Sequence, residues 1–194
     1  MDGHYGSRVP SKPVSKIVVS TASEHSREVH TARELRQLLA THDLSGLQWT
    51  SRVVINGPEV PHSHPVLVLN TQAQGDHLLG TYVHQQVHWW TTTHPGLTGA
   101  IADTHHAWAT VPTHHGGGAA TTAQTRLHLI VCHLERRAMH HIAGDVRSRT
   151  LLRQQMTTGQ VYPWIYGQIH LHNRALDRIC TTWDLWPQRL KPDR

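Results

Sequence analysis

Apolar positions recur along this chain with two different periods, and each period predicts its own kind of element. "KIVVS" at 16–20, "LQWTSRVVING" at 47–57 and "HPVLVLNT" at 64–71 are short runs rich in Val and Leu, bounded by Gly, Pro, Asn or Ser. Such runs read as strands, because branched side chains pack well on a pleated surface. A helical period appears in "TARELRQLLATH" at 31–42, where Leu35, Leu38 and Leu39 share one side. Thr31 and Glu34 there have the spacing of a capping box. Residues 76–91 form a second helical stretch. The segment at 122–144 is the longest, ending at Gly144, a natural stop for a helix. A last helix over 162–186 opens with Pro163, which suits a first helical position, and aligns Trp164, Gln168, Leu171, Ala175 and Ile179.

Two stretches lack either period. Residues 1–15 hold prolines, glycines and serines and read as a mobile arm, leaving a single domain over 16–190. The region 94–122, with Pro95, Pro112 and the "HHGGG" tract, reads as a flexible loop. Strands precede helices without a βαβ rhythm or an internal repeat. The expected class is therefore α+β, a small mixed sheet with long helices.

Composition narrows the function more than the fold. A chain of 194 residues is the length of one domain and can bury roughly 70% of its unfolded surface, even with 38% apolar residues and no Phe. Seven Trp and four Tyr supply the missing bulk. The net charge of +5 raises the possibility of a nucleic-acid partner, but the arginines are scattered over polar helix faces with no aromatic platform and no binding motif. The reading excludes nucleic acid. Cys132 and Cys180 lie far apart in apolar runs and are expected as buried free thiols of a reducing compartment. Without a signal-like apolar stretch near the start or a run long enough to span a bilayer, the expectation is a cytoplasmic protein with no membrane partner.

Histidine is the unusual component, with twenty copies. At that density about two pairs spaced i, i+4 arise by chance. His84 and His88 in "TYVHQQVHWW" are the one such pair, so spacing alone carries no weight. Position carries more. On a helical wheel Leu78, Leu79, Tyr82, Val83, Val87, Trp89 and Trp90 fill one arc, and His77, His84 and His88 gather opposite with Gly80 and Thr81. Side chains at i and i+4 can share one ion, although a solvated polar face accounts for the same pattern. Glu135 is the second clue. Its stripe on the 122–144 helix is His128, Val131, Cys132, Ala138, Met139 and Ile142, and a carboxylate facing such a stripe needs a partner. A metal ion would serve, as would a buried arginine such as Arg174 or Arg178.

The strand "HPVLVLNT", the helix "HQQVHWW" and the later "HLIVCHLERRAM" with Glu135 resemble the zincin metallopeptidases of the glutamate-ligand kind. They are similar in particular to uncharacterised bacterial proteins whose helix reads His-Glu-Gln-x-His-Trp and whose last segment reads Tyr-Pro-Trp-Ile-Tyr. Gln86, Trp89 and "YPWIY" at 162–166 extend the match, which spans roughly residues 62–180. The resemblance implies a zincin-like domain in which His84, His88 and Glu135 hold zinc and a peptide or protein is the substrate. It departs at residue 85, where Gln85 stands in place of the glutamate base. An amide cannot act as that base at neutral pH, so the expectation is a zinc site with weak or absent hydrolysis. Tyr162 and Tyr166 are candidates for stabilising a developing oxyanion, or for core packing with a bonded hydroxyl. The other histidine clusters, at 61–65, 104–106, 113–118, 139–141 and 169–172, sustain the rival reading of a non-enzymatic, histidine-rich metal-binding or interaction module.

Overall fold

A computed structural model of the chain describes residues 12, 14, 16–157 and 161–191. The elements run β1 (Val18–Thr21), α1 (Ser26–Thr41), β2 (Arg52–Ile55), β3 (Leu67–Leu69), α2 (Gly75–Thr92), α3 (Leu97–Ala107), α4 (Thr122–Ala143), α5 (Asp145–Thr157) and α6 (Pro163–Thr182). Single 3₁₀ turns lie at His114–Gly116 and Gln188–Leu190. The class is mixed α and β, as the sequence predicts. Most of the expected mobile arm at 1–15 lies outside the described residues; within it, Val14 N–H donates to the Gln48 carbonyl at 2.7 Å.

The sheet corrects one expectation. It is not mixed: its strands pair in the order β1-β2-β3 and both pairings are parallel. β1, α1 and β2 form a βαβ unit, with the 16-residue α1 returning the chain to the same edge. The second crossover, residues 56–66, contains no helix, and its irregularity hid the parallel rhythm. Within it His62 bridges Val68 in the antiparallel sense, capping part of the β3 edge.

Several boundaries also move. α1 begins at Ser26 with His25 as its N-cap, so Thr31 lies buried inside the helix. Glu34, expected to close a capping box, accepts instead from Gly75 N–H at 2.6 Å and holds the start of α2. The region 94–122 is not simply a loop. It contains α3, in which Ala100 and Thr104 are buried and Leu97 and Ile101 pack against the core, a short stripe that the flanking Pro95, Pro112 and glycines obscured. α5 is far more polar, with Leu151 and Leu152 as its buried apolar side chains. α6 stops at Thr182, and Leu185 and Trp186 are buried beyond its end. Both cysteines are buried and free. Among the described residues, no helix is long and apolar enough to cross a membrane.

The core is one cluster. Val53, Ile55, Leu67 and Leu69 from the sheet are fully buried with Leu78, Leu79 and Tyr82 of α2, and Leu129, Ile130 and Leu134 of α4 continue it. α2 packs on β3 on one side and on α4 on the other, so both its faces are covered. Gln86 locks this arrangement. Its Oε1 accepts from Trp49 N–H at 2.7 Å and Thr50 N–H at 3.1 Å, while Nε2 donates to Thr50 O and to the Tyr82 hydroxyl. Fully buried, this amide substitutes for a strand neighbour, satisfying backbone groups just before β2 that the short sheet leaves unpaired.

Removing it should be expensive. Gln86→Ala leaves two backbone donors and one acceptor unpaired in the interior, and the expected loss is about 2–4 kcal/mol, read from the urea midpoint. A loss near zero would mean that water reaches those groups.

Candidate metal centre

Helix α2 presents His77, His84 and His88 on the side away from the sheet, and the structure separates their fates. His77 stays at the surface, within 2.9 Å of Gln154 Oε1. His84 is buried, 9% exposed, because α4 covers the middle of α2, and His88 is partly buried beyond it. Close approach is possible here because residue 80 is a glycine. A Cβ on Gly80 would meet Leu151 Cδ2 at 3.1 Å and Glu135 Oε1 at 3.6 Å.

Glu135 meets His84 across this contact. Its Oε2 lies 2.9 Å from His84 Nδ1 and accepts from the Tyr166 hydroxyl at 2.9 Å, and its Oε1 accepts from Gln155 Nε2 at 3.0 Å. The carboxylate is 2% exposed, and three donors from α2, α5 and α6 compensate its burial. Neither Arg174 nor Arg178 is among its hydrogen-bond or ion-pair partners. Cys132, one turn before Glu135 on α4, brings its Sγ within 3.9 Å of His84 Nδ1, and burial pushes its thiol well above the usual range.

The other edge of the His84 ring faces different neighbours. His84 Nε2 is 3.1 Å from His88 Nε2, and the His128 ring lies 5.5 Å from His84 and 5.0 Å from His88 between centroids. His128 Nδ1 is 2.7 Å from the Gln124 carbonyl. Burial drives the His88 pKa down to about 2, helped by the nearby imidazoles of His84, His128 and His64. Burial also lowers His128 to about 4, with His84 contributing. The structure thus brings His84, His88 and Glu135 together, with Glu135 at one nitrogen of the His84 ring and His88 at the other. Among the described residues, two groups of three metal-capable side chains have ligand atoms within reach of one ion: His84 with His88 and His128, and His84 with Cys132 and Glu135.

A cleft of about 580 Å³ opens beside His84 and Glu135, lined by these two and Gln85 below and by Val60, Tyr162 and Tyr166 around it; His88, His128 and Cys132 lie outside its lining. Asn70, Gln72 and Gln74 carry its wall from the C-terminal end of β3 towards α2. Gln85 is 6% exposed, and its residual surface faces this space. Tyr162 adopts φ 59°, a left-handed conformation that costs a bulky residue on the order of 1–3 kcal/mol. Its ring is held 4.4 Å from His128, at the N-terminus of α6, and burial raises its phenol pKa to about 12.

No family model, curated protein or solved structure matches this chain. Five of the six expected site residues, His84, Gln85, Glu135, Tyr162 and Tyr166, line this cleft and His88 adjoins His84, whereas His105, His106, His114, His115, His140, His141 and His170 lie exposed on separate elements. Sequence reasoning did not single out His128 or Gln155. His128 stood on the stripe of Glu135, two turns earlier, and that register was its signal. Gln155 had none, since α5 itself was not anticipated.

The buried imidazoles make metal-free protein acid-sensitive. Unfolded histidines take up protons near pH 6.5, whereas in the fold His128 resists protonation to about 4 and His88 to about 2. Protons therefore favour the unfolded chain as pH falls below about 6.5, and stability is regained above it. The expected loss approaches about 1.4 kcal/mol per pH unit for each histidine, read from urea midpoints between pH 7.5 and 5 in the presence of a chelator. A flat profile would mean that the rings are hydrated.

Proposed function

We propose that this protein is a zincin-like, zinc-dependent peptidase-like protein in which hydrolysis is weak or absent. One observation carries the reading: His84 Nε2 and His88 Nε2 stand 3.1 Å apart beside a cleft into which the intervening Gln85 faces. Two ligands of a tetrahedral ion at Zn–N distances of about 2.0–2.1 Å lie about 3.3 Å apart, so the pair fits with little rearrangement. The donor chemistry suits zinc as well, since imidazole nitrogens are ordinary ligands of a borderline metal and burial keeps His88 unprotonated. His84 and His88 would hold the ion, with a third side chain from α4. When bound, zinc supplies a Lewis acid that polarises a carbonyl.

The remaining roles belong to the chain. Asn70, Gln72 and Gln74 offer amides along the wall, suited to the backbone of an extended peptide, and Val60 and Val161 offer apolar contacts to its side chains. Gln85 can orient a polar group by hydrogen bonding but cannot remove its proton at neutral pH. The hydroxyl of Tyr166 is committed to Glu135, which makes it a positioning residue. Tyr162 is left as the phenol available to a developing oxyanion. Gln85 is also what favours the second reading, a metal-dependent peptide-binding module without turnover.

Metal analysis of untagged protein should find about one zinc per chain, lost in His84→Ala. Several loosely held ions that survive this substitution would refute the site. Gln85→Glu should raise hydrolysis of a peptide library by a factor of about 10² to 10⁴ over the natural chain. If zinc binds and neither form cleaves, the binding-module reading replaces the enzymatic one.

A further inference from the structure

We propose that the third protein ligand of this centre is His128, giving a three-histidine site, and that Glu135 orients His84 from behind instead of binding the ion. The inference rests on the reading that His84 and His88 hold a metal, and it follows from the two edges of the His84 ring. The lone pairs of an imidazole point away from each other, so an ion bound at one nitrogen lies on the far side of the ring from a group held at the other. Glu135 sits at Nδ1, His88 at Nε2. A site that uses both His84 and His88 therefore turns away from Glu135 and towards His128, whose ring approaches both.

Proton positions agree. A carboxylate at His84 Nδ1 calls for a proton there, leaving the lone pair at Nε2. The Gln124 carbonyl at His128 Nδ1 can only accept, so that nitrogen also carries the proton and Nε2 is again the free ligand atom. Two of the three histidines thus have their tautomers set by an oxygen acceptor behind the ring, the arrangement that orients metal-binding imidazoles and strengthens them as donors. The competing group of His84, Cys132 and Glu135 uses the opposite edge, leaves out His88, and needs a thiolate in a fully buried position. Tyr162, packed 4.4 Å from His128, then borders the site directly and also lines the cleft. Three neutral histidines would leave the ion its full double positive charge, where a ligating glutamate would have reduced it. That favours an anionic or strongly polarised group as the ion's remaining ligand, such as a peptide's terminal carboxylate.

Zinc titration of the full chain against a chromophoric chelator tests this, with circular dichroism as the check on folding. His128→Ala and His88→Ala should each weaken zinc binding by at least about 100-fold. Glu135→Gln should retain a single site weakened by only about 10–100-fold, and Cys132→Ser should bind as the natural chain does. Nitrogen-15 spectra of the unsubstituted protein, which need no variant to fold, should show three histidines bound through Nε2. Two bound histidines, with binding abolished in Glu135→Gln and intact in His128→Ala, would overturn the assignment while leaving the zinc reading standing. Thiolate charge-transfer absorption in the cobalt form would overturn it in favour of Cys132. Failure of the natural chain to take up zinc at all would remove the reading itself.

Discussion

A buried carboxylate governs the geometry around which this molecule is arranged. Glu135 lies in the interior where α2, α4, α5 and α6 meet, and a charge there is tolerable only if its oxygens are fully occupied. His84, Tyr166 and Gln155 occupy them, one each from α2, α6 and α5 packed against α4. Each of these bonds fixes a helix in rotation as well as in position. The His84 ring is consequently aimed by a partner on its far edge, and its free nitrogen points towards His88 and His128.

The opposite face of α2 is fixed by a second buried polar group. Gln86 ties the helix to the backbone before β2 and to Tyr82, which sets the depth at which α2 lies against β3. Gln85 and Gln86 are adjacent amides with unrelated duties. The 100° turn between them sends one into the core and the other into the cleft. Because β3 ends at the cleft wall, a ligand there meets the carboxyl end of a parallel strand, where open sheets commonly receive ligands.

The chemistry available follows from what surrounds this cleft. Its polar wall is mainly amide and phenol, joined by the imidazoles of His77 and His84. Such a lining offers hydrogen bonds but no carboxylate free to move a proton, since Glu135 is already engaged. On the proposed reading, residue 85 is where binding and turnover part company. The left-handed backbone of Tyr162 stores strain at the same rim, in keeping with a position kept for contact with a ligand.

Much of this was legible along the chain. The Val and Leu runs gave the strands, the Leu periodicity gave α1, and Pro163 and Gly144 marked helix ends, because these signals depend on local stereochemistry. The apolar stripe of Glu135 announced a buried carboxylate in need of partners, and residue 85 could be read directly as an amide. Tertiary structure decided what local pattern does not encode. It made the sheet parallel through a crossover without a helix, formed α5 from a segment with few apolar residues, and buried His84 in the middle of an apparently solvated histidine face by laying α4 across it. It also decided which edge of His84 meets Glu135 and which meets His88 and His128. Spacing along a helix can place an imidazole on a face, but the direction of its two nitrogens is set by the groups that other helices bring against it.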